Sequence, residues 1–113
     1  MNQRDLAIGR WRCRQLFRLG TPVNAVRVNA ENSDGHEYRK VALALECLRR
    51  GESFYTEAEF SNLGRSGRAD FVNLDRGVIT EILGSEKEES IEEKRKYYPL
   101  EIETCKAFHI VMK

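Results

Sequence analysis

Gly67-Arg-Ala-Asp-Phe-Val-Asn-Leu-Asp-Arg-Gly-Val-Ile-Thr-Glu-Ile-Leu83 is the stretch on which the reading of this chain turns. Residues 68–74 and 78–83 are rich in β-formers and flank Asp75-Arg-Gly77, a turn with glycine in the left-handed position, so the stretch predicts a β-hairpin. Each arm carries one acid among apolar neighbours, Asp70 in the first and Glu81 in the second. An ionised group there is costly unless something compensates it. In an even register the two stand opposite each other on one face. A slip of one residue puts them on opposite faces. Two bare carboxylates that close repel each other, and a divalent cation reverses the sign. Oxygen ligands point to Mg²⁺ or Mn²⁺ rather than zinc. The competing reading pairs Asp70 with Arg68 or Arg65 and leaves Glu81 solvated on an edge strand.

Toward the N-terminus, residues 54–60 alternate, with Phe54, Thr56, Ala58 and Phe60 inward and Tyr55, Glu57 and Glu59 outward, which predicts a strand with one wet face. Residues 62–67 read as a loop. Asp34-Gly-His-Glu37 has the spacing of a capping box and opens a helix over 36–50 that ends at Gly51. Its apolar stripe is Tyr38, Val41, Ala42, Leu45 and Leu48. Leu43 and Cys47 lie on the far side, so the helix is expected to be covered on two faces, one of them by the N-terminal segment. Glu37 and Glu46 border the stripe and can lean toward the sheet; for Glu37 the alternative is completion of the capping box, and for Glu46 a surface charge. Residues 10–19 fit either a strand with a basic face or a helix. The helix is preferred, with Leu6, Cys13, Leu16 and Phe17 on one face, Arg10, Arg14 and Arg18 on another, and Gly20 and Pro22 as its stop. Val26 and Val28 suggest a short extended piece. A polar stretch at 29–35 then separates a basic N-terminal extension, 1–35, from a domain over 36–113. Toward the C-terminus, residues 86–98 form a charged helix with Ser85 as cap, Ile91, Lys94 and Tyr98 on one stripe, and Pro99 at its end. Residues 107–112 read as a last strand.

The 113 residues are 41% apolar and 33% charged, enough for one core and a wet surface and too few for a second large domain. No apolar run approaches the roughly 20 residues of a membrane helix. The arginine-rich start has no secretory h-region. Three cysteines, Cys13, Cys47 and Cys105, are odd in number and widely spaced, which argues against a disulfide scaffold and for a reducing, cytoplasmic setting. With two histidines, a histidine metal cage is not expected; His36 sits next to Glu37 and can approach the site, with a helix-start surface residue as the preferred reading, and His109 reads as a strand residue. The net charge of +1 hides polarity: residues 1–28 hold six arginines against Asp5 alone, and residues 84–104 hold seven glutamates against four bases.

The order αβββαβ over residues 36–112, with Gly67-Arg-Ala-Asp70, ten further residues, and Thr80-Glu-Ile82, resembles the core of the restriction-endonuclease-like, PD-(D/E)xK phosphodiesterases, a group that includes archaeal Holliday-junction resolvases. The resemblance implies an α/β fold with a mixed central sheet and metal-dependent hydrolysis of phosphodiesters in DNA. Asp70 and Glu81 would bind Mg²⁺ or Mn²⁺, and Glu37 would orient a metal-bound water or a second ion. A homodimer would suit a two-strand substrate. One departure stands out: the family's lysine, two residues after the glutamate, is Leu83 here. Either the lysine has migrated, to Lys94 on the second helix's inward stripe or to Lys87, or catalysis is lost and the domain only binds DNA or protein. For Lys94 the alternative is a snorkelling side chain over Tyr98. Arg10, Arg12, Arg14, Arg18, Arg65 and Arg68 are placed to track a DNA backbone without reading sequence; their alternative is a solvated face balancing the acidic helix. Trp11 and Phe17 either stack on bases or anchor the core.

Overall fold

The computed structural model describes residues 2–84 and 88–110. Among these residues, three helices and four strands follow in the order α1 (Gln3–Arg14), α2 (Asp34–Arg49), β1 (Phe54–Asn62), β2 (Arg65–Asn73), β3 (Val78–Leu83), α3 (Glu88–Arg95) and β4 (Glu101–Lys106). The strands make one mixed sheet in chain order, antiparallel from β1 to β3 and parallel between β3 and β4. Gly77 takes its left-handed turn position with φ 68°. No helix among the described residues is long and apolar enough to cross a membrane.

The sheet is the middle of three layers. On one face Tyr55, Val72, Ile79 and Ile102 form a row across all four strands and pack with Ile91 and Tyr98 from the α3 side and with Cys13 and Phe17 from the N-terminal side. On the other face Phe54 stacks on Phe71, with ring centroids 5.2 Å apart, under Ala44 and Cys47 of α2. Small residues at 44 and 47 let the second half of α2 approach the sheet closely.

Several expectations need correction. The stripe Tyr38, Val41, Leu45 and Leu48 is the solvent face of α2, and the buried face is Gly35, His36, Lys40, Ala44 and Cys47. The N-cap is Ser33, not Asp34, and Glu37 does not close a capping box. β1 and β2 join through a two-residue turn, Leu63-Gly64, with φ 52° and 75°, where a longer loop was expected; positive φ at both centres suits the twist of a hairpin. The N-terminal helix stops at Arg14, leaving Leu16 and Trp11 exposed while Phe17 is buried. The last strand is residues 101–106 rather than 107–112, of which 111–112 lie outside the described residues, as does Ser85. Val26 and Val28 lie in no strand. Residues 24–27 instead tie to the β1 edge through Asn24, Phe54 and Thr56, which blocks further pairing there.

The alternation expected over 54–60 also breaks in the middle. Phe54 faces α2, but Ala58 and Phe60 face the opposite core, together with Tyr55. The break falls at Glu57, whose φ is +48°, and pairing skips the Glu57–Asp70 rung between Thr56↔Phe71 and Ala58↔Ala69. β2 breaks at the same level: Ala69 and Val72 share one face and Phe71 lies on the other. A non-glycine residue in this backbone region costs about 1–3 kcal/mol. Glu57 is buried as well, not outward and wet.

The start of α2 meets the C-terminal segment at Gly35. The Phe108 amide donates to the Gly35 carbonyl at 3.1 Å, and a Cβ on Gly35 would stand 1.9 Å from the Phe108 carbonyl oxygen. Gly35→Ala is therefore expected to lift residues 107–110 off α2 at a cost of roughly 1–3 kcal/mol. Amide exchange would show it as protection lost at Phe108 and kept in β4, and an unchanged Phe108 amide would contradict it.

Candidate active site

β2 and β3 pair only over Phe71↔Thr80, Val72↔Ile79 and Asn73↔Val78. Beyond that rung β2 stays with β1 as far as Asn62↔Arg65, and β3 stays with β4 as far as Leu83↔Lys106. The sheet forks, and Asp70 and Glu81 stand at the fork, where the same register sets them opposite each other. Their carboxylates replace the next backbone rung. The Asp70 amide donates to Glu81 Oε2 at 2.9 Å, and the Ile82 amide donates to Asp70 Oδ2 at 2.8 Å. Neither the ion pair of Asp70 with Arg65 or Arg68 nor a solvated Glu81 is found among the described residues; Glu81 is 2% exposed.

Around Glu81 the donors come from the α3 side. Lys94 Nζ lies 3.1 Å from Glu81 Oε1, and the Tyr98 hydroxyl donates to the same oxygen at 3.0 Å. That hydroxyl is also 3.3 Å from the Arg68 carbonyl, so one phenol spans both prongs of the fork. Burial first, and the Asp70 charge second, push the Glu81 carboxyl above its ordinary value, against the Asp70 amide and Lys94. Burial likewise raises Asp70, against the Ile82 amide and His36. Burial and the Glu81 carboxylate push the Tyr98 phenol up, which keeps its proton in place for donation.

On the α2 side a chain of ionic contacts leads away from Asp70. His36 Nε2 is 3.3 Å from Asp70 Oδ2, and its Nδ1 is 3.1 Å from Glu37 Oε1. In its neutral form the ring has one N–H and serves one of the two carboxylates at a time. Lys40 Nζ, fully buried, donates to Glu37 at 2.7 Å, to Glu57 at 2.6 Å and to the Arg27 carbonyl at 3.0 Å. Arg68 Nε closes the chain on Glu57 Oε2 at 3.0 Å. Burial raises the Glu37 carboxyl, but hydrogen bonds from Lys40, Asn32 and the Asn29 amide, with the Lys40 charge, outweigh it and bring it down to about 2.

Glu37 thus stands one imidazole away from Asp70, not beside it, and His36 is a buried link rather than a surface residue. Glu46 is exposed and pairs with Arg50. Lys94 reaches the site; Lys87 lies outside the described residues. The arginines do not form one stripe. Arg10 pairs with Asp75 at the β2–β3 turn, and Arg14 donates to Tyr55. Arg18 pairs with Glu59, which faces Arg68 across the β1–β2 arm. Arg65 pairs with Glu93 and covers the Tyr97 ring, and Arg12 lies exposed on α1. Lys40 and Glu57 were missed by sequence reasoning, and His36, whose approach to the site was the lesser reading, is found there. Lys40 had a signal, its place three residues after Glu37 on the polar side of the helix. Glu57 had none, because the alternation ran straight through it.

Among the described residues no three His, Cys, Asp or Glu side chains are arranged to hold a metal ion. Two carboxylates are nevertheless a sufficient protein contribution for magnesium, which keeps several waters and is completed by substrate phosphates. Asp70 and Glu81 supply hard oxygens, and both are raised by burial, a penalty that a divalent charge offsets.

The two kinds of shift act on stability in opposite directions. The folded chain holds protons on Asp70 and Glu81 that the unfolded chain releases above 3.8 and 4.5, so this pair lowers stability as pH rises toward the folded values. Glu37, down at about 2 from 4.5, adds stability that is present above 4.5 and lost as pH falls toward 2. Without divalent ions the melting temperature should therefore fall as pH rises above the ordinary carboxylate range of Asp70 and Glu81. Asp70→Asn and Glu81→Gln should flatten that fall; an equal fall in both variants would put its origin elsewhere. Lys40→Met leaves Glu37 and Glu57 buried without their shared cation and should cost roughly 3–5 kcal/mol in urea denaturation. A loss under about 1 kcal/mol would show that the network contributes little.

Comparison of the chain with family models, with curated proteins and with solved structures finds no match.

Proposed function

We propose that this chain is a metal-dependent DNA endonuclease of the restriction-endonuclease-like group, hydrolysing phosphodiester bonds at the fork between β2 and β3. The observation that carries the reading is the Lys94 ammonium 3.1 Å from Glu81. It is supplied from α3, where the motif position on β3 is Leu83. A lysine delivered from a helix to the carboxylate pair answers the one departure from the family pattern. The element order and the facing Asp70 and Glu81 support the same reading.

In this reading Asp70 and Glu81 hold Mg²⁺ or Mn²⁺. The ion, when bound, offsets their charge and supplies an acidified water near neutral pH. The chain's own residues do the rest. Lys94 stabilises charge that grows on the phosphate in the transition state. Tyr98 and the Asp70 amide fix the Glu81 carboxylate, while the Ile82 amide and His36 fix Asp70. Glu37 acts through His36. Arg68, which pairs with Glu57 on the β1–β2 prong, with Arg18, which pairs with Glu59 there, and Arg65 near its tip, are the arginines assigned in this reading to the DNA backbone.

The second reading is a nuclease fold without catalysis, binding DNA or protein. Leu83 favours it, as does the engagement of Glu81 by Lys94, Tyr98 and the Asp70 amide. A cleavage assay separates the two, using linear, single-stranded, flapped and four-way-junction DNA with Mg²⁺ or Mn²⁺. The nuclease reading expects cleavage by the wild type, none by Asp70→Ala, and a loss of roughly 10²–10³-fold in rate for Lys94→Met. A folded wild-type chain that cuts none of these substrates would overturn it, and salt-dependent DNA binding in that case would select the second reading.

A further inference from the structure

α2 shows water the wrong face for a helix with nothing against it. Tyr38 is 57% exposed, Val41 40%, Leu45 46% and Leu48 47%. At roughly 100° per residue these four and Asp34 fall within about 80° of one another, and Arg49 lies just beside them. His36, Lys40, Ala44 and Cys47 occupy the other side, against the sheet. The exposed side is therefore an apolar stripe with an acid at its first turn and a base at its last, on a helix about 24 Å long. The spacing of three, four and three residues is that of a helix–helix seam. Scattered apolar residues on a surface need no partner, but a contiguous, ordered stripe does.

We infer that the partner is a second copy of this chain, with the two α2 helices packed antiparallel about a two-fold axis. The stripe is complementary to itself in that orientation alone. Tyr38 of one copy meets Leu48 of the other, and Val41 meets Leu45. Asp34 of each copy comes within a turn of the other copy's Arg49, twice by symmetry, and the helix dipoles oppose. A parallel pair would set acid on acid and base on base. Phe108, 38% exposed beside the first turn of α2, extends the surface toward the roughly 800 Å² per copy of a standard interface. Arg39 holds the Phe108 ring at 3.9 Å and so keeps that extension in place. The inference does not depend on the chemistry at the fork.

Sedimentation equilibrium of the full chain over about 1–100 μM tests it, a span wide enough to catch association of ordinary strength. The wild type should sediment at twice the 13.1 kDa chain mass, and Leu45→Glu at the chain mass with an unchanged far-ultraviolet spectrum. Asp34→Arg and Arg49→Asp, each alone, should weaken self-association at least about tenfold through repeated like charges, and a mixture of the two should restore it. This charge exchange keeps the test open if Leu45→Glu does not fold. A wild type at the chain mass throughout, a Leu45→Glu chain that still pairs, or a mixture no tighter than its components would each overturn the proposal.

Discussion

Where backbone pairing between β2 and β3 stops, two carboxylates take over the hydrogen bonds, and the rest of the site follows from that substitution. A carboxylate that accepts a backbone amide makes a stronger bond than the rung it replaces, but it brings charge into a place with little water. Asp70 and Glu81 each cap the other's strand, so the sheet opens without leaving amides unpaired. The charge must then be met from outside the sheet. Lys94 and Tyr98 answer it on one face and His36 on the other. The opening, the burial and the convergence of donors are one arrangement seen from three sides.

The α2 side carries that logic further from the sheet. The second half of the helix uses Ala44 and Cys47 to pack closely on Phe54 and Phe71. The first half packs through charge, with Lys40 clamped between Glu37 and Glu57. Buried ion networks of this kind are seldom the most stable filling for a space. They are directional, however, and they fix the rotation of α2 about its axis, which sets His36 over Asp70. An apolar contact surface of the same size would tolerate a turn of the helix that a three-way ammonium clamp does not.

The sequence allowed the order of elements and the hairpin to be read, because Gly77 and the β-rich arms are local signals that need no tertiary knowledge, whereas the register that faces Asp70 with Glu81 is set only in the folded sheet. Asp70, Glu81 and Lys94 were found through placement on those elements. What escaped did so for separate reasons. Amphipathic reading assumes that the apolar side of an element faces the protein, and α2 reverses the assumption by burying its polar side in an ion network. Glu57 escaped because alternation counts residues and cannot see a residue whose backbone leaves the strand conformation. His36 was discounted as a surface residue because Asp70, its partner beyond the adjacent Glu37, lies on a strand that only the fold brings to the helix.

The paired break at Glu57 and Asp70 has a consequence for the history of the chain. In an ordinary hairpin, losing one residue from one strand turns every later side chain over to the wrong layer. Here the turning-over is already present on both strands at one level, and each strand's break is matched only by the other's. Neither position can be straightened alone without sending Ala58 and Phe60, or Ala69, out of the core. The two sites are therefore inherited as a unit. A lineage that gives up the acid at 70 for good has no gradual way back to a regular hairpin, and the irregular level would persist as a scar after any chemistry it served was gone.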